Sequence, residues 1–490
     1  MSEQPMNVLV IMSDQHNPKI LGAAGNPVVR TPNMDALAAR GTRFESAYCA
    51  SPICVPSRAS FATGLYPHQT GYWDNAMGYD GAAESWGHEL QRAGRRVESI
   101  GKLHYRNAED PTGFDVQHLP MHLKDGIGQV WGSVRDPLPR RDNAPLMVTI
   151  SGSAESDYTR YDAAVTDSTC AWLTDEDNHR EPWVLYTGLL APHFPYLAPP
   201  EYFDMYDPSD MPTPTMRPEH GHARHPWVEA FAGVLPGLDG SNTEEERRRA
   251  AAAYYGLVSY LDHNLGRILG ALAASGQADN TLVVYTSDHG DMVGSRGLWG
   301  KSLLYTESAG VPLIMAGPGI AANSVCHTPA SLVDLYPTIL AAAGVTPTGM
   351  PRPGRSLLDI ASGATDSDRV VFTEYHAMGA TSGAFMIRRG PYVLHHYVGF
   401  DSELFDLAAD PDQTTDLAGN PAYANVLADL EAELAALCDP VAVDKQAKAD
   451  QAELVDRFGG PAAAAAIGTP GETPPPPLEN QAAMSKVLHQ

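Results

Sequence analysis

The sequence predicts an α/β fold with a mainly parallel central sheet flanked by helices, followed by a smaller C-terminal subdomain of antiparallel sheet plus helix. Apolar runs typical of buried strands alternate with capped helical segments as far as about residue 369. From residue 370, short strands follow one another closely, and an amphipathic helix comes after them. We therefore predict a large α/β domain over residues 1–369, an antiparallel-sheet subdomain over 370–438, and a helix with a Pro- and Ala-rich tail over 439–490.

The parallel sheet is predicted from apolar runs that polar residues follow at once. Their richness in Val, Ile and Leu is typical of strands buried on both faces. These strands are predicted at residues 8–12, 43–50, 97–101, 183–190, 281–286 and 311–316. The antiparallel sheet is predicted from three shorter runs, at residues 370–374, 384–388 and 392–397.

Capping residues mark the helices between these strands. Thr31 and Pro32 open one helix, and Gly41 closes it. The helices are predicted at residues 31–41, 84–95, 157–174, 242–276, 331–343 and 422–437. Few helices or strands are predicted in residues 106–155. We expect residues 198–241, which are rich in Pro, His and Gly, to form a long surface excursion.

Composition and charge exclude several classes of function. The 490 residues carry a net charge of -26 with a pI near 5.0, which argues against binding to nucleic acid or to an anionic membrane. The five cysteines are scattered and odd in number, so we expect no disulfide framework and a reducing compartment. The N-terminus lacks a basic region, and no apolar run approaches the roughly 20 residues that span a bilayer. We therefore expect a cytoplasmic protein.

The chemistry is organised around the stretch at residues 51–64. Pro56 suits the first position of a helix, which places Cys54 at or just before the helix N-terminus. The helix dipole, together with Arg58 one turn along, favours negative charge there. Such a cysteine is expected to be reactive or negatively charged in function. An isolated cysteine is more often an inert buried side chain, so the residues around Cys54 decide whether it is reactive or structural.

Charged and imidazole side chains follow the predicted strands at their carboxyl ends, where open α/β sheets bind ligands. They are Asp14, Lys102, His104, His193, Asp288 and His289, with Lys301 in a later loop. Two aspartates and an imidazole can hold a divalent cation. The lysines and Arg58 suit a tetrahedral oxyanion such as sulfate or phosphate, and two histidines are available for proton transfer. The sequence does not prove that these side chains converge.

Residues 54–58 read Cys-Val-Pro-Ser-Arg, and Thr63-Gly64 follow them. This segment resembles the Cys-x-Pro-Ser-Arg motif of the type I sulfatases, which belong to the alkaline phosphatase superfamily. Further similar segments lie at residues 14–15, 31–35, 101–104, 192–195, 288–290, 299–301 and 331–338. The resemblance covers residues 7–420 and implies an alkaline-phosphatase-like fold with a catalytic domain over residues 1–369.

In that family a separate formylglycine-generating enzyme oxidises the cysteine to Cα-formylglycine. The resemblance implies one divalent metal ion, with ligands from Asp14, Asp288, His289 and the formylglycine at Cys54. It also implies that one hydroxyl of the hydrated aldehyde attacks sulfur while the metal lowers its pKa. The remaining implied roles are stabilisation of the hydrate by Arg58 and Lys102, sulfate contact and assistance to the leaving alcohol by His193 and Lys301, and proton removal by His104.

Two positions differ from the commonest family pattern. Gln15 stands where many members carry a second aspartate, and His289 stands where many carry asparagine. This pair is more similar to the choline sulfatase and phosphonate monoester hydrolase branch, in which the position of Asn75 contacts sulfate. The resemblance implies Ca²⁺, with Mn²⁺ as the alternative that the imidazole allows. The Trp-rich choline-binding segment that we would expect near residues 125–150 is not found, so choline sulfate is not our first choice of substrate.

We therefore expect a sulfuric ester hydrolase that cleaves a small organic sulfate monoester. The alternatives are a phosphonate monoester or phosphodiester hydrolase with the same site, and a non-catalytic binder of metal and anion. Candidates for the substrate pocket, each of which can equally be a core or rim residue, are Trp73, Trp131, Tyr196 and the stretches 374–376 and 395–397. The Pro-rich tail favours contacts between subunits, and we expect a homo-oligomer.

Overall fold

The computed structural model of this chain has a mainly parallel eight-stranded sheet at its centre. The structure describes residues 5–141, 146–214, 216–234, 242–467 and 474–476. Beyond residue 467, the predicted Pro- and Ala-rich tail lies outside the described residues except for 474–476.

The strands include one at each predicted apolar run, although the run at residues 43–50 is divided between two short strands. In chain order they are β1 (Asn7–Asp14), β2 (Thr42–Phe44), β3 (Ala47–Tyr48), β4 (Arg96–Lys102), β5 (Val116–Met121), β6 (Gly152–Ser153), β7 (Trp183–Pro192), β8 (Leu197–Ala198), β9 (Thr281–Ser287), β10 (Leu313–Ala316), β11 (Ser324–Cys326), β12 (Ala330–Ser331), β13 (Val370–Tyr375), β14 (Ala384–Arg389), β15 (Tyr392–Tyr397) and β16 (Glu403–Asp406).

The central sheet has the strand order β11-β2-β10-β9-β1-β7-β4-β5. Its neighbouring strands are parallel except for β10, which runs antiparallel to both β2 and β9. The predicted fold class is confirmed. Strand β5 lies in the region where we predicted few elements, because this partly exposed edge strand lacks the apolar run of the inner strands.

Strand β1 is buried on both faces, which explains its unbroken apolar sequence. Val8, Val10 and Met12 pack against side chains of the helices on one face of the sheet. Leu9 and Ile11 pack against side chains of the helices on the other face. Each of these side chains is wholly inaccessible to solvent, and such burial contributes about 2 kcal/mol per residue.

The helices cover both faces of this sheet. In chain order they are α1 (Pro32–Ala39), α2 (Cys54–Thr63), α3 (Pro67–Thr70), α4 (Trp86–Arg92), α5 (Leu146–Thr149), α6 (Asp157–Thr174), α7 (Pro200–Phe203), α8 (Pro226–Val234), α9 (Glu244–Ala274), α10 (Thr306–Ala309), α11 (Leu335–Ala342), α12 (Leu357–Ser362), α13 (Ala424–Leu437), α14 (Pro440–Arg457) and α15 (Pro461–Ala466). None of the helices in the described part of the chain is long and apolar enough to cross a membrane.

Two helices correct the sequence prediction. Helix α2 begins at Cys54, with Ile53 as its N-cap, so Pro56 is the third helical residue and not the first. Helix α8 lies within the predicted surface excursion at residues 198–241, yet its Trp227 is buried and stacks on Tyr397 of β15. A contact so distant in sequence leaves no local pattern from which it could be predicted.

Strands β13 to β16 form the predicted antiparallel sheet, with α13 packed on it through Leu430 and Leu434. Beyond α13, helices α14 and α15 fold back against the segment at Val130–Ser133 and share an apolar cluster with it. The division of the chain into separate domains at residues 369 and 438 stays a prediction.

Glu374, in β13, joins the antiparallel sheet to α3. Its buried carboxylate accepts hydrogen bonds from His68 N at 2.9 Å, His68 Nδ1 at 2.8 Å and His376 Nε2 at 2.8 Å. Burial alone would raise the pKa of Glu374, but the bonds from His376 and His68 hold this pKa at about 2. The stretch 374–376, a candidate for the substrate pocket, is thus part of a buried interface.

Replacing Glu374 with glutamine is expected to remove an acid-sensitive contribution to stability. Because the pKa in the folded state is depressed below the ordinary value of 4.5, the contribution is present above that value and is lost as the pH falls toward 2. It amounts to about 3 kcal/mol at most. The denaturant midpoints of the wild type and of Glu374→Gln should therefore differ more at about pH 5 than at about pH 3. An equal difference at both pH values would contradict this assignment.

Candidate active site

The carboxyl ends of β1 and β9 bring two aspartates together. The strands are parallel neighbours in the register Ser13 to Ser287, so Asp14 and Asp288 lie side by side at one edge of the sheet. The start of α2 places Cys54 against them. Asp14, Cys54, Asp288 and His289, which we call the ligand cluster, are all buried.

The ligand atoms of this cluster lie within 4.8 Å of one another. The Sγ atom of Cys54 is 3.2 Å from His289 Nε2 and 3.7 Å from Asp14 Oδ1. His289 Nε2 is also 3.8 Å from Asp14 Oδ1 and 3.6 Å from Asp288 Oδ1. Convergent carboxylate oxygens and an imidazole nitrogen are a donor set that fits a divalent cation. The four residues predicted as metal ligands are thus brought together.

Arg58 holds both aspartates from the side away from the cluster centre. Its Nε donates to Asp288 Oδ2 at 2.8 Å, and its Nη2 donates to Asp14 Oδ2 at 3.1 Å. Its Nη1 donates to the hydroxyl of Tyr186 at 2.8 Å and to the carbonyl of Lys102 at 3.0 Å. The Oδ1 atoms of both aspartates lie nearer His289, and Asp288 Oδ1 also accepts hydrogen bonds from the backbone N–H groups of Gln15 at 3.2 Å and His289 at 2.9 Å.

Three further predicted residues surround the cluster. Lys102 Nζ is 2.7 Å from Asp14 Oδ2, and Lys301 Nζ is 2.8 Å from Cys54 Sγ and 4.0 Å from Asp14 Oδ1. His193 Nε2 lies 4.0 Å from Asp14 Oδ1. Burial alone would raise the pKa of Asp14, but Lys102, His193, Lys301 and Arg58 hold it well below its usual range. Asp14 is therefore a carboxylate, the form that binds a cation.

His104 and Asn75 complete the set of predicted residues. His104 is buried, and burial together with Lys102 and Arg58 lowers its pKa well below the ordinary value. Its imidazole is therefore neutral, the form that can accept a proton. Asn75 Oδ1 accepts a hydrogen bond from the backbone N–H of Val55 at 3.1 Å, directly beside Cys54.

The protonation of Cys54 corrects one expectation. Burial raises the pKa of its thiol to about 11, with Asp14 adding to the effect and Lys301 and Lys102 opposing it. The unmodified thiol is therefore neutral near pH 7, although the helix N-terminus predicted a negatively charged cysteine. The dipole of a helix end is outweighed here by the cost of placing a charge in a buried site beside two carboxylates.

His289 presents an unprotonated nitrogen to the cluster. Its Nδ1 lies 2.9 Å from the carbonyl of Gly290, a contact in which Nδ1 must be the donor. Burial lowers the pKa of His289 to about 4, so the ring is neutral and Nε2 carries a lone pair. This hydrogen bond fixes the orientation of the ring, as a bond to the other ring nitrogen commonly does in metal-binding histidines.

Asp291 ties together three loops around the cluster and was missed as a site residue by sequence reasoning. Its buried carboxylate accepts bonds from Gln15 Nε2 at 2.5 Å, from the Tyr196 hydroxyl at 2.7 Å and from Gly300 N at 3.0 Å. Gly300 precedes Lys301, so Asp291 fixes the loop that carries this lysine. A second carboxylate three residues after Asp288 was the available signal.

Asp162, on α6, is a second residue that the sequence did not reveal. Its buried carboxylate accepts bonds from the backbone N–H groups of Leu190 at 2.7 Å and Ala191 at 2.8 Å. These bonds hold the end of β7, from which the chain leads into His193. Burial raises the pKa of Asp162 to about 7. An isolated aspartate on an amphipathic helix gives no sequence signal for such a role.

The aromatic candidates for the substrate pocket are core residues. Trp73 and Trp131 are buried, and the guanidinium of Arg141 lies 4.0 Å from the ring centre of Trp131. Tyr196 is buried and bonded to Asp291, and His395 packs edge-on against Tyr305. Phe194, which was not among these candidates, stacks on His193 with ring centres 4.2 Å apart, and its ring centre lies 5.8 Å from Lys301 Nζ.

Comparison with known proteins agrees with this geometry. The family model described as Sulfatase matches residues 6–345, and the model described as N-sulphoglucosamine sulphohydrolase, C-terminal, matches residues 294–439. Choline-sulfatase of Rhizobium meliloti (strain 1021) is 34% identical over 431 residues, covering 85% of this chain and 83% of that protein. Arylsulfatase K of Rattus norvegicus is 31% identical over 445 residues, with 85% and 75% covered.

A solved structure supports the same relationship. The phosphonate monoester hydrolase from Silicibacter pomeroyi matches with a TM-score of 0.71 and 26% identity, covering 88% of this chain and 94% of that chain. These relatives include both enzymes that the pair Gln15 and His289 led us to expect. Because the first family model spans more than half of the chain and the ligand cluster lies within its match, this protein is an enzyme of the sulfatase family.

Proposed function

We propose that this sulfatase-family enzyme hydrolyses a small organic sulfate monoester to an alcohol and sulfate, with a formylglycine formed from Cys54 as nucleophile. We propose further that Asp14, Asp288, His289 and residue 54 hold one divalent cation, with Ca²⁺ first and Mn²⁺ as the alternative. The maturation enzyme, the homo-oligomer and the cytoplasmic location stay predictions.

The position of residue 54 carries this proposal. At the N-terminus of α2, its side chain points into the ligand cluster, with His289 Nε2 at 3.2 Å and Lys301 Nζ at 2.8 Å from Sγ. The sulfur atom marks where an oxygen of formylglycine would lie. One side chain is thereby placed to be both a ligand and a nucleophile. The neutral thiol itself is poorly suited to either task, because metal ligands and nucleophiles are thiolates.

When present, the formylglycine hydrate supplies a hydroxyl nucleophile, and the cation lowers the pKa of this hydroxyl and neutralises ester oxygens. Arg58 and Lys102 hold Asp14 in place and balance its charge. Lys301 offers an ammonium group beside residue 54, where an anionic ester oxygen has to approach. Burial alone would lower the pKa of Lys301, but the hydrogen bond to Cys54 and the carboxylates of Asp14 and Asp288 raise it, so the amine stays charged.

The second candidate is hydrolysis of phosphonate monoesters or phosphodiesters. The phosphonate monoester hydrolase from Silicibacter pomeroyi shares the fold, and the pair Gln15 and His289 is similar to that branch. A sulfate monoester and a phosphonate monoester are both tetrahedral monoanions, so the charges around residue 54 suit either. Membership of an enzyme family sets aside the third alternative, a non-catalytic binder.

Turnover of two matched aryl esters will separate the candidates. We expect kcat/KM for 4-nitrophenyl sulfate to exceed that for 4-nitrophenyl phenylphosphonate by about tenfold or more. Mass spectrometry of the peptide that contains residue 54 should show the aldehyde or its hydrate in the active preparation. A phosphonate that reacts faster by orders of magnitude would replace the first candidate with the second. A fully active protein whose residue 54 is still a thiol would exclude the formylglycine.

A further inference from the structure

We propose that helix α14 positions the sulfate-contacting side of the active site, with Asp450 and Gln451 as positioning residues that act through Asn75. This inference rests on the proposed function and adds to it. Helix α14 begins at Pro440, one residue beyond the end of the second family-model match at residue 439 and well beyond the end of the first at residue 345. From the sequence we predicted only a helix and a tail over residues 439–490, with the tail in contact with a neighbouring subunit.

Asn75 connects helix α14 to the residue beside the nucleophile. Its Oδ1 accepts a hydrogen bond from Val55 N at 3.1 Å, in the first turn of α2. The first N–H groups of a helix have no partner within the helix, so Asn75 satisfies one of them from outside. Since the amide oxygen is engaged, the amide NH₂ is the group that Asn75 can donate to a ligand.

The two residues that precede Asn75 are held by consecutive residues of α14. Trp73 Nε1 donates to Asp450 Oδ2 at 2.7 Å. The buried carboxylate of Asp74 accepts from Gln451 Nε2 at 2.8 Å through its Oδ2 atom. Residues 73–76 form neither helix nor strand, so side-chain bonds have to fix their position. The helix supplies one of these bonds to each of the two residues before Asn75, and its apolar side chains pack against Ala76 after it.

Gln451 can form these bonds in one orientation only. Its side chain is fully buried, its Oε1 accepts from Arg135 Nη1 at 2.7 Å, and its Nε2 also donates to the carbonyl of His376 at 2.8 Å. The amide oxygen and the amide NH₂ are therefore both engaged, by partners that can only donate or only accept. Fully satisfied buried networks of this kind hold one geometry.

The rest of the contact between α14 and this loop is apolar. Leu454 and Val455 of α14 pack in one cluster with Ala76, Val130 and Val134. Asp74 also accepts from Ser133 Oγ at 2.7 Å, so the 130–134 segment is held in the same network. The helix and this segment therefore support the loop from behind, while Asn75 faces Val55. A displacement of about 1 Å at a substrate-contacting group can lower turnover by about 100-fold.

Gln451→Met tests this proposal because methionine has a similar volume and no amide. We expect kcat/KM to fall by about tenfold or more, mainly through a raised KM, because Asn75 would contact the substrate already in the ground state. Asp450→Ala, at a half-buried position, should cause a smaller loss of the same kind. The matched control is Glu453→Ala, an exposed position on the same helix, which should keep wild-type kinetics.

A double-mutant cycle with Asn75→Ala separates positioning from general destabilisation. If Gln451 acts through Asn75, Gln451→Met should cost little in the Asn75→Ala background, so the two losses should not multiply. Independently of activity, hydrogen exchange at residues 53–57 should become faster in Gln451→Met and stay unchanged in Glu453→Ala. Should Gln451→Met fail to fold, the same cycle and exchange measurement are made with Asp450→Ala.

The cycle is measured with whichever aryl ester the wild-type enzyme turns over faster. A preference for phosphonate would therefore overturn the proposed substrate and leave the test of α14 intact. Losses that multiply in the double mutant, or unchanged hydrogen exchange at residues 53–57, would overturn the positioning role of Asp450 and Gln451.

Discussion

Cys54→Ala is expected to lower turnover by about four orders of magnitude or more while the protein stays folded. Residue 54 belongs to the ligand cluster, and its Sγ atom lies 2.8 Å from Lys301 Nζ. Alanine removes the group from which the nucleophile would form. It leaves the packing of α2 largely unchanged, since the thiol is small. Steady-state turnover of an aryl sulfate and the thermal midpoint are the measurements.

Cys49→Ala is the matched control for this experiment. Cys49 is also buried, and it lies five residues earlier in the chain, outside the ligand cluster. We expect this variant to keep turnover within about twofold of the wild type, with a small loss of stability. If Cys54→Ala keeps more than about a hundredth of wild-type turnover, covalent catalysis from residue 54 is wrong.

Arg58→Met is expected to damage both stability and turnover. The side chain of Arg58 is 1% exposed and pairs with two buried carboxylates, those of Asp14 and Asp288. Methionine would leave Asp288 without its arginine and leave Asp14 with Lys102 as its nearest cation. Breaking a buried ion pair on one side costs about 3–5 kcal/mol, because the remaining charge stays desolvated. The thermal midpoint should fall by several degrees, and turnover by about 100-fold or more.

Added Ca²⁺ gives this prediction a specific readout. Because both carboxylates lose positive charge in Arg58→Met, a cation bound at the ligand cluster should raise the thermal midpoint of this variant more than that of the wild type. The matched control is Arg296→Met. Arg296 is equally buried, and its Nη2 donates to the carbonyls of Asp412 and Gln413. A larger Ca²⁺ response in Arg296→Met than in Arg58→Met would show that the effect does not arise at the ligand cluster.

Much of the fold followed from the pattern of apolar residues along the chain. Strands β1, β7 and β9 are buried on both faces, and only a continuous apolar run satisfies such an environment. Strand β5 lies at the sheet edge and is partly exposed, so it carries no such run. The antiparallel direction of β10 also could not be predicted, because direction depends on the path of the connecting chain and not on strand composition.

The candidate site was predictable because parallel strands end at a common edge. Asp14 and Asp288 both follow predicted strands, which made them candidates, and the pairing of β1 with β9 brings them together. Asp162 lies on α6 and accepts bonds from the end of β7, and Asp291 accepts bonds from three loops around the ligand cluster. The spacing of Asp162 does not predict its role, and for Asp291 the one signal was its place three residues after Asp288. The aromatic candidates failed for a related reason, since Trp and Tyr side chains suit a core as well as a pocket.

By itself, the sequence determined the fold class and the candidate residues of the ligand cluster, since buried strands leave local apolar runs and the family motif at residues 54–58 is contiguous. Only the tertiary structure decided how that centre is supported. Gln451 and Asp74 lie 377 residues apart and bond at 2.8 Å, and a bond over that distance leaves no trace in local composition. The charge state of Cys54 was likewise decided by the fold. The cost of a buried charge depends on surrounding groups such as Asp14, Lys102 and Lys301, which only the folded chain brings together.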